Sequence, residues 1–243
     1  RKLRQRRSGS EALRRVAQPA AATKAMIGFG DPLFKLATAA QADRSPGGPA
    51  ARQRPADAAP AATATRYDAE RGFRYGDMQP LPETRGELLA VAAALGANPQ
   101  TDLLFGSRAT RRAVVEAKLL DRRVVAFATH GLMPGELPGI SKPALAMAVT
   151  ADARESPLLE LDDVLGLRLN AQWVLLSACN TAAGEPGGGA MSGLVRGFFF
   201  AGARSVLATH WAVDSDSAAA LSTATFQTQA GGSVSRSESL RQA

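Results

Sequence analysis

Apolar residues along this chain come in short unbroken blocks, VVAFAT (124–129), WVLLSA (173–178) and SVLAT (205–209), set between longer stretches that mix apolar and polar positions. Blocks of this length that do not alternate with polar residues read as strands covered on both faces. The pattern predicts strands over 102–105, 123–129, 173–178 and 205–209, and helices over 83–95, 109–119, near 192–201 and from about 215. A short apolar start at 26–34 opens the core. PALAMAV (143–149) adds a further apolar piece, and LLELDDVLGL (158–167) contains a short helix. Strand and helix alternate throughout, which predicts an α/β fold with a mostly parallel sheet flanked by helices on both faces.

Two segments stand outside this pattern. Residues 37–66 hold no large apolar side chain, so they cannot offset the entropy lost on ordering and are expected to form a flexible insertion. Residues 1–25 read as a basic linker or the remnant of an upstream region, and 26–243 as one domain. The formal charge of +7 sits at the N-terminal end: residues 1–24 hold eight Lys and Arg against Glu11, and the remaining 21 basic residues balance 21 acidic ones. With a neutral body and no recognition-helix or stacking-aromatic pattern beside the arm, nucleic acid is disfavoured as a partner. No apolar run approaches the roughly 20 residues of a membrane span, so a membrane is not expected as a partner and a cytoplasmic location is inferred. The chain begins with Arg1 and is read as part of something larger.

Candidate chemistry lies at the strand ends, because open α/β sheets bind ligands in the crevice beyond the carboxyl ends of their strands. Cys179, the single cysteine, follows WVLLSA, and both histidines, His130 and His210, follow apolar runs closed by Ala-Thr-His. One cysteine excludes an internal disulfide and a multi-cysteine metal site. It can act as a thiolate nucleophile if an imidazole takes its proton. His130 precedes Cys179 by 49 residues, the order and spacing of caspase-type enzymes. Gly131 leaves room above the imidazole, and its N–H together with that of Cys179 could form an oxyanion hole. His210 is followed by the bulky Trp211 and lies downstream of the cysteine, so it reads as structural or pocket-lining. Gly184 and Gly187 to Gly189 suggest phosphate or nucleotide binding, but the run lacks the Lys-Ser/Thr of a P-loop, and that reading ranks lower.

The runs ATHGL, LSACNTAAG and SGLVRGFFFAGARSVLATHWAV, with FGDPLF, LPETRGEL and LFGSRAT upstream, resemble the CHAT domain, a caspase-like peptidase module related to separase and the caspases. The resemblance implies a caspase-like α/β fold and a cysteine endopeptidase with a dyad of His130 and Cys179. It implies protein substrates, no metal or organic cofactor, and a place at the effector end of a larger protein with upstream tetratricopeptide-type repeats or a sensor partner. A catalytically silent scaffold on the same fold is the alternative. One departure concerns the substrate pocket. The family pattern Trp-x-Val-x-Asp, whose Asp is implied to hold a basic substrate side chain, has Ser215 at that position, flanked by Asp214 and Asp216.

Overall fold

In the computed structural model, residues 22–36, 75–134, 140–152, 154–177, 190–208, 215–230 and 234–243 are described. Residues 1–21 of the basic arm and the whole of 37–66 lie outside them.

The central layer is a five-stranded sheet of β1 (Lys24–Pro32), β2 (Leu103–Gly106), β3 (Arg122–Ala128), β7 (Trp173–Ser177) and β8 (Val206–Ala208), ordered β2-β1-β3-β7-β8. Every pairing in it is parallel. The unbroken apolar run of β3 has the reason expected of it: successive side chains enter two different cores. Val125 and Phe127 join Phe29, Val174 and Leu176 on one face. Val124, Ala126 and Ala128 join Met26, Trp173 and Leu175 on the other. The first core is closed by Val114 of α3 (Arg111–Glu116), Val164 of α4 (Leu161–Gly166), and Leu194 and Phe198 of α5 (Ala190–Ala201). The second is closed by Leu88, Val91 and Ala92 of α1 (Glu83–Leu95) and Phe226 of α6 (Ser215–Ala230). The result is a mostly parallel α/β architecture with helices on both faces, consistent with a caspase-like fold.

Differences from the sequence pattern are local. The strand expected at 102–105 begins one residue later, because Asn98 caps a four-residue turn, α2 (Pro99–Asp102), that consumes Asp102. The helix expected over 109–119 is shorter, since Thr110 caps its start and the backbone turns extended at Ala117. A C-terminal helix, α7 (Arg236–Gln242), was not foreseen and packs on α6. Nor was a second, antiparallel sheet of β4 (Gly131–Leu132), β5 (Ala144–Ala146) and β6 (Leu158–Glu160). Strands of two or three residues are too short to show a period.

Two glycines report how tightly the layers meet. A Cβ at Gly30 of β1 would lie 2.7 Å from Leu88 Cδ1 of α1, so any larger residue would make the Leu88 side chain shift. Gly202, which ends α5 with φ 113°, would bring a Cβ to 2.2 Å from the Leu169 carbonyl oxygen. Gly202→Ala is therefore expected to destabilise the fold by about 3 kcal/mol in chemical denaturation, through backbone strain and overpacking together. Gly86→Ala is the contrasting case. Gly86 is an exposed position inside α1 with nothing within 4 Å of the added methyl, so the same measurement should show a gain of up to about 1 kcal/mol.

Candidate functional site at the sheet switch point

The chain leaves β1 to form β2 on one side of it and then crosses to β3 on the other, so the strand order reverses between β1 and β3. The loops leaving these two strands diverge there, at the position where open α/β sheets form a ligand-binding crevice. Both loops supply side chains to it. The turn after β1 carries Phe34, and His130 is the second residue past β3; their ring centroids are 5.3 Å apart. Tyr75 packs edge-on against Phe34 at 5.8 Å and donates its hydroxyl to the Met147 carbonyl at 2.5 Å.

His130 is fixed through its backbone and through its ring. Its carbonyl accepts from the Ala146 N–H at 2.9 Å, and the neighbouring Thr129 hydroxyl donates to the Ala146 carbonyl. This exchange puts the Gly131↔Leu145 pair at a non-hydrogen-bonded position of the β4–β5 ladder and turns the Gly131 N–H away from β5. The ring nitrogen Nε2 stands 2.8 Å from the main-chain carbonyl oxygen of Gln79. A carbonyl only accepts, so in the neutral ring Nε2 carries the hydrogen and Nδ1 keeps its lone pair. Burial lowers the imidazole pKa from its ordinary value of 6.5; the Gln79 hydrogen bond and the charge of Glu83 act in the opposite direction. His130 is thus a neutral base at pH 7 with a defined tautomer.

The lead-in and first turn of α1 hold more than the imidazole. Asp31, at the end of β1, has φ 44°, a left-handed conformation that Asp tolerates better than most residues. Its N–H donates to Thr84 Oγ1 at 2.9 Å, and its carboxylate accepts from Arg85 at 2.9 and 3.1 Å. The turn delivering Phe34 is therefore clamped to α1. Farther along the same helix Glu87 is buried and accepts from the hydroxyl of Ser177, the last residue of β7, at 2.6 Å. Burial pushes its carboxyl above the usual range, while the Ser177 and Ser222 hydroxyls favour the ionised form.

Of the residues singled out from sequence, His130 and Gly131 adjoin at this crevice. Cys179, His210, Asp214 and the glycines of 184–189 lie outside the described residues, and Ser215 and Asp216 are the first two residues of α6. The register pair Ala128↔Ser177 stands two residues before His130 on one strand and two residues before Cys179 on the other. Sequence reasoning missed the Gln79 carbonyl, Phe34 and Glu87. A backbone carbonyl has no side-chain signature. Glu87 did carry a signal, an acidic residue inside the buried stripe Thr84, Leu88, Val91, Ala92 of α1. Among the described residues no group of three or more His, Cys, Asp and Glu could hold a metal ion, and no helix is long and apolar enough to cross a membrane.

A pH dependence follows from the lowered imidazole pKa. The unfolded chain takes up a proton at His130 near pH 6.5, whereas the folded protein resists it until lower pH, so this group's contribution to stability is complete above pH 6.5 and is lost as pH falls through the folded value. An NMR titration should give His130 a midpoint below 6.5, with His130→Gln assigning the resonance. In thermal unfolding His130→Gln should flatten the fall in Tm between pH 7 and pH 5. A midpoint at or above 6.5 would show that the ring is not desolvated.

Comparison with curated proteins returns no match. A family model, the CHAT domain, matches residues 1–243, the whole length. Its span includes the arm and the insertion as well as the parallel sheet and its switch-point crevice, and the chain belongs to the CHAT-domain family, a caspase-like, peptidase-related family.

Proposed function

We propose that this protein is a cysteine endopeptidase in which His130 and Cys179 form the dyad. The observation that carries the reading is the imidazole at the switch point, kept neutral by burial and oriented by the Gln79 carbonyl so that its Nδ1 lone pair is the one left to act. Equal offsets of His130 and Cys179 from the register pair Ala128↔Ser177 support it, because adjacent parallel strands lie about 4.8 Å apart. The Cys179 thiol gives its proton to Nδ1, and the thiolate attacks the carbonyl carbon of the scissile peptide. The Gly131 and Cys179 N–H groups stabilise the oxyanion. As the tetrahedral intermediate collapses the C–N bond breaks, and the proton on Nδ1 passes to the leaving amine. Water, deprotonated by the same nitrogen, hydrolyses the thioester and returns the thiol. The Nε2–H···O bond to Gln79 stays in place throughout and spreads the positive charge of the transient imidazolium. Protein substrates fit this chemistry, as does a role at the effector end of a larger protein with upstream repeats or a sensor.

The dyad is tested by substitution. Cys179→Ala and His130→Ala should each reduce peptide turnover by roughly a thousandfold or more and abolish labelling by an electrophilic activity-based probe, while Cys179→Ala leaves Tm unchanged. His210→Ala should retain turnover. Equal losses for His210→Ala and His130→Ala in folded proteins would assign the base to the other histidine. Probe-reactive but turnover-silent wild type would favour a scaffold on the same fold.

Substrate choice follows from the position of Ser215. A carboxylate facing a basic substrate side chain contributes about 1.5–3 kcal/mol, or roughly ten- to a hundredfold in discrimination, and Ser215 supplies no charge. A library varied at the residue before the scissile bond should show small and uncharged residues accepted beside Arg and Lys, and Ser215→Asp should sharpen selection for Arg. Strict Arg/Lys cleavage by the wild type, lost on Asp214→Asn, would assign the pocket charge to Asp214 instead.

A further inference from the structure

Glu87 is a buried carboxyl that packing does not account for. It is 4 % exposed and shares the buried stripe of α1 with Thr84, Leu88, Val91 and Ala92. Oε1 is buried without a hydrogen-bond partner among the described residues, although Oε2 accepts from Ser177. An unbranched apolar side chain of the same length would fill that space without the cost of desolvating a carboxyl. What such a side chain could not do is accept the Ser177 hydroxyl's hydrogen bond. Ser177 ends β7, the strand that leads to Cys179. Ser222 belongs to α6, the helix that begins at Ser215. The same α1 is preceded by Gln79, whose carbonyl orients His130. The helix and the segment leading into it therefore border His130, the end of β7 and α6.

We propose that Glu87 is a positioning residue for the dyad: by binding the Ser177 hydroxyl, its carboxyl holds the end of β7 against α1 and so sets Cys179 relative to His130. The proposal rests on the dyad reading. Misplacing a reacting group by about 1 Å costs on the order of a hundredfold in rate, so losing this contact is expected to register in chemistry at the thiol more than in global stability.

Because Cys179 is the only cysteine, its alkylation by iodoacetamide in the full chain reports that thiol alone. Glu87→Met, which keeps the side-chain length but removes the acceptor, should slow alkylation about ten- to a hundredfold with Tm unchanged or raised. Glu87→Gln, which keeps an oxygen acceptor, should restore the rate to within about threefold of wild type. Ser177→Ala should slow alkylation to a similar extent, and the Glu87→Met/Ser177→Ala pair should be no slower than either single variant, since both act through one contact. Wild-type alkylation in folded Glu87→Met, or equal losses in Glu87→Gln and Glu87→Met, would overturn the proposal. If Glu87→Met fails to fold, Ser177→Ala decides alone: slowed alkylation supports the positioning role and an unchanged rate overturns it. His130→Ala separates the two layers. Slower alkylation in that variant, with Glu87→Met unaffected, leaves the dyad and removes Glu87; an unchanged rate in His130→Ala removes the dyad reading itself.

Discussion

Parallel pairing of β3 between β1 and β7 is the constraint on which the other features depend. A parallel strand cannot reach its neighbour through a tight turn, so each connection must cross the sheet, and in this fold the crossovers carry helices to both faces. Both faces of β3 are then buried, Val125 and Phe127 in one core and Val124, Ala126 and Ala128 in the other. With every strand pointing the same way, the carboxyl ends of β1, β3 and β7 share one edge. Reversal of strand order at β1 opens that edge between the β1 and β3 loops, where His130 and Phe34 meet.

At that edge the His130 imidazole, the base of the proposed dyad, is oriented mostly by backbone. The Gln79 carbonyl selects the tautomer of His130, the β4–β5 ladder anchors its main chain and turns the Gly131 N–H outward, and desolvation keeps the ring uncharged. None of these effects needs a further acidic side chain beside the ring.

Helix α1 has an organising role that its composition does not advertise. Its first turn clamps Asp31 through Thr84 and Arg85, its interior places Glu87 against Ser177, and its apolar stripe seals the second core against β1 and α6. Gly30 leaves room for its Leu88 side chain against β1. A helix that joins a buried face to a polar strand edge couples fold stability to site geometry.

Much of this was legible along the chain, and the reason is locality. Two-sided burial makes 124–128 and 173–176 continuously apolar, and the helix at Glu83–Leu95 is flanked by Pro82 and the left-handed Gly96, so both kinds of element announce themselves within a few residues. Polar groups just past an apolar run, such as His130 and Gly131, are likewise local signals of a strand end. The sheet order β2-β1-β3-β7-β8, the short antiparallel sheet beneath His130 and the partners of the buried polar groups were decided only by tertiary structure. Gln79 is 51 residues from His130 and acts through its backbone; Glu87 is 90 residues from Ser177. Hydrophobicity and period act over one or two turns of chain, whereas these contacts exist only after the crossovers have brought distant strand ends and helix starts to the same edge.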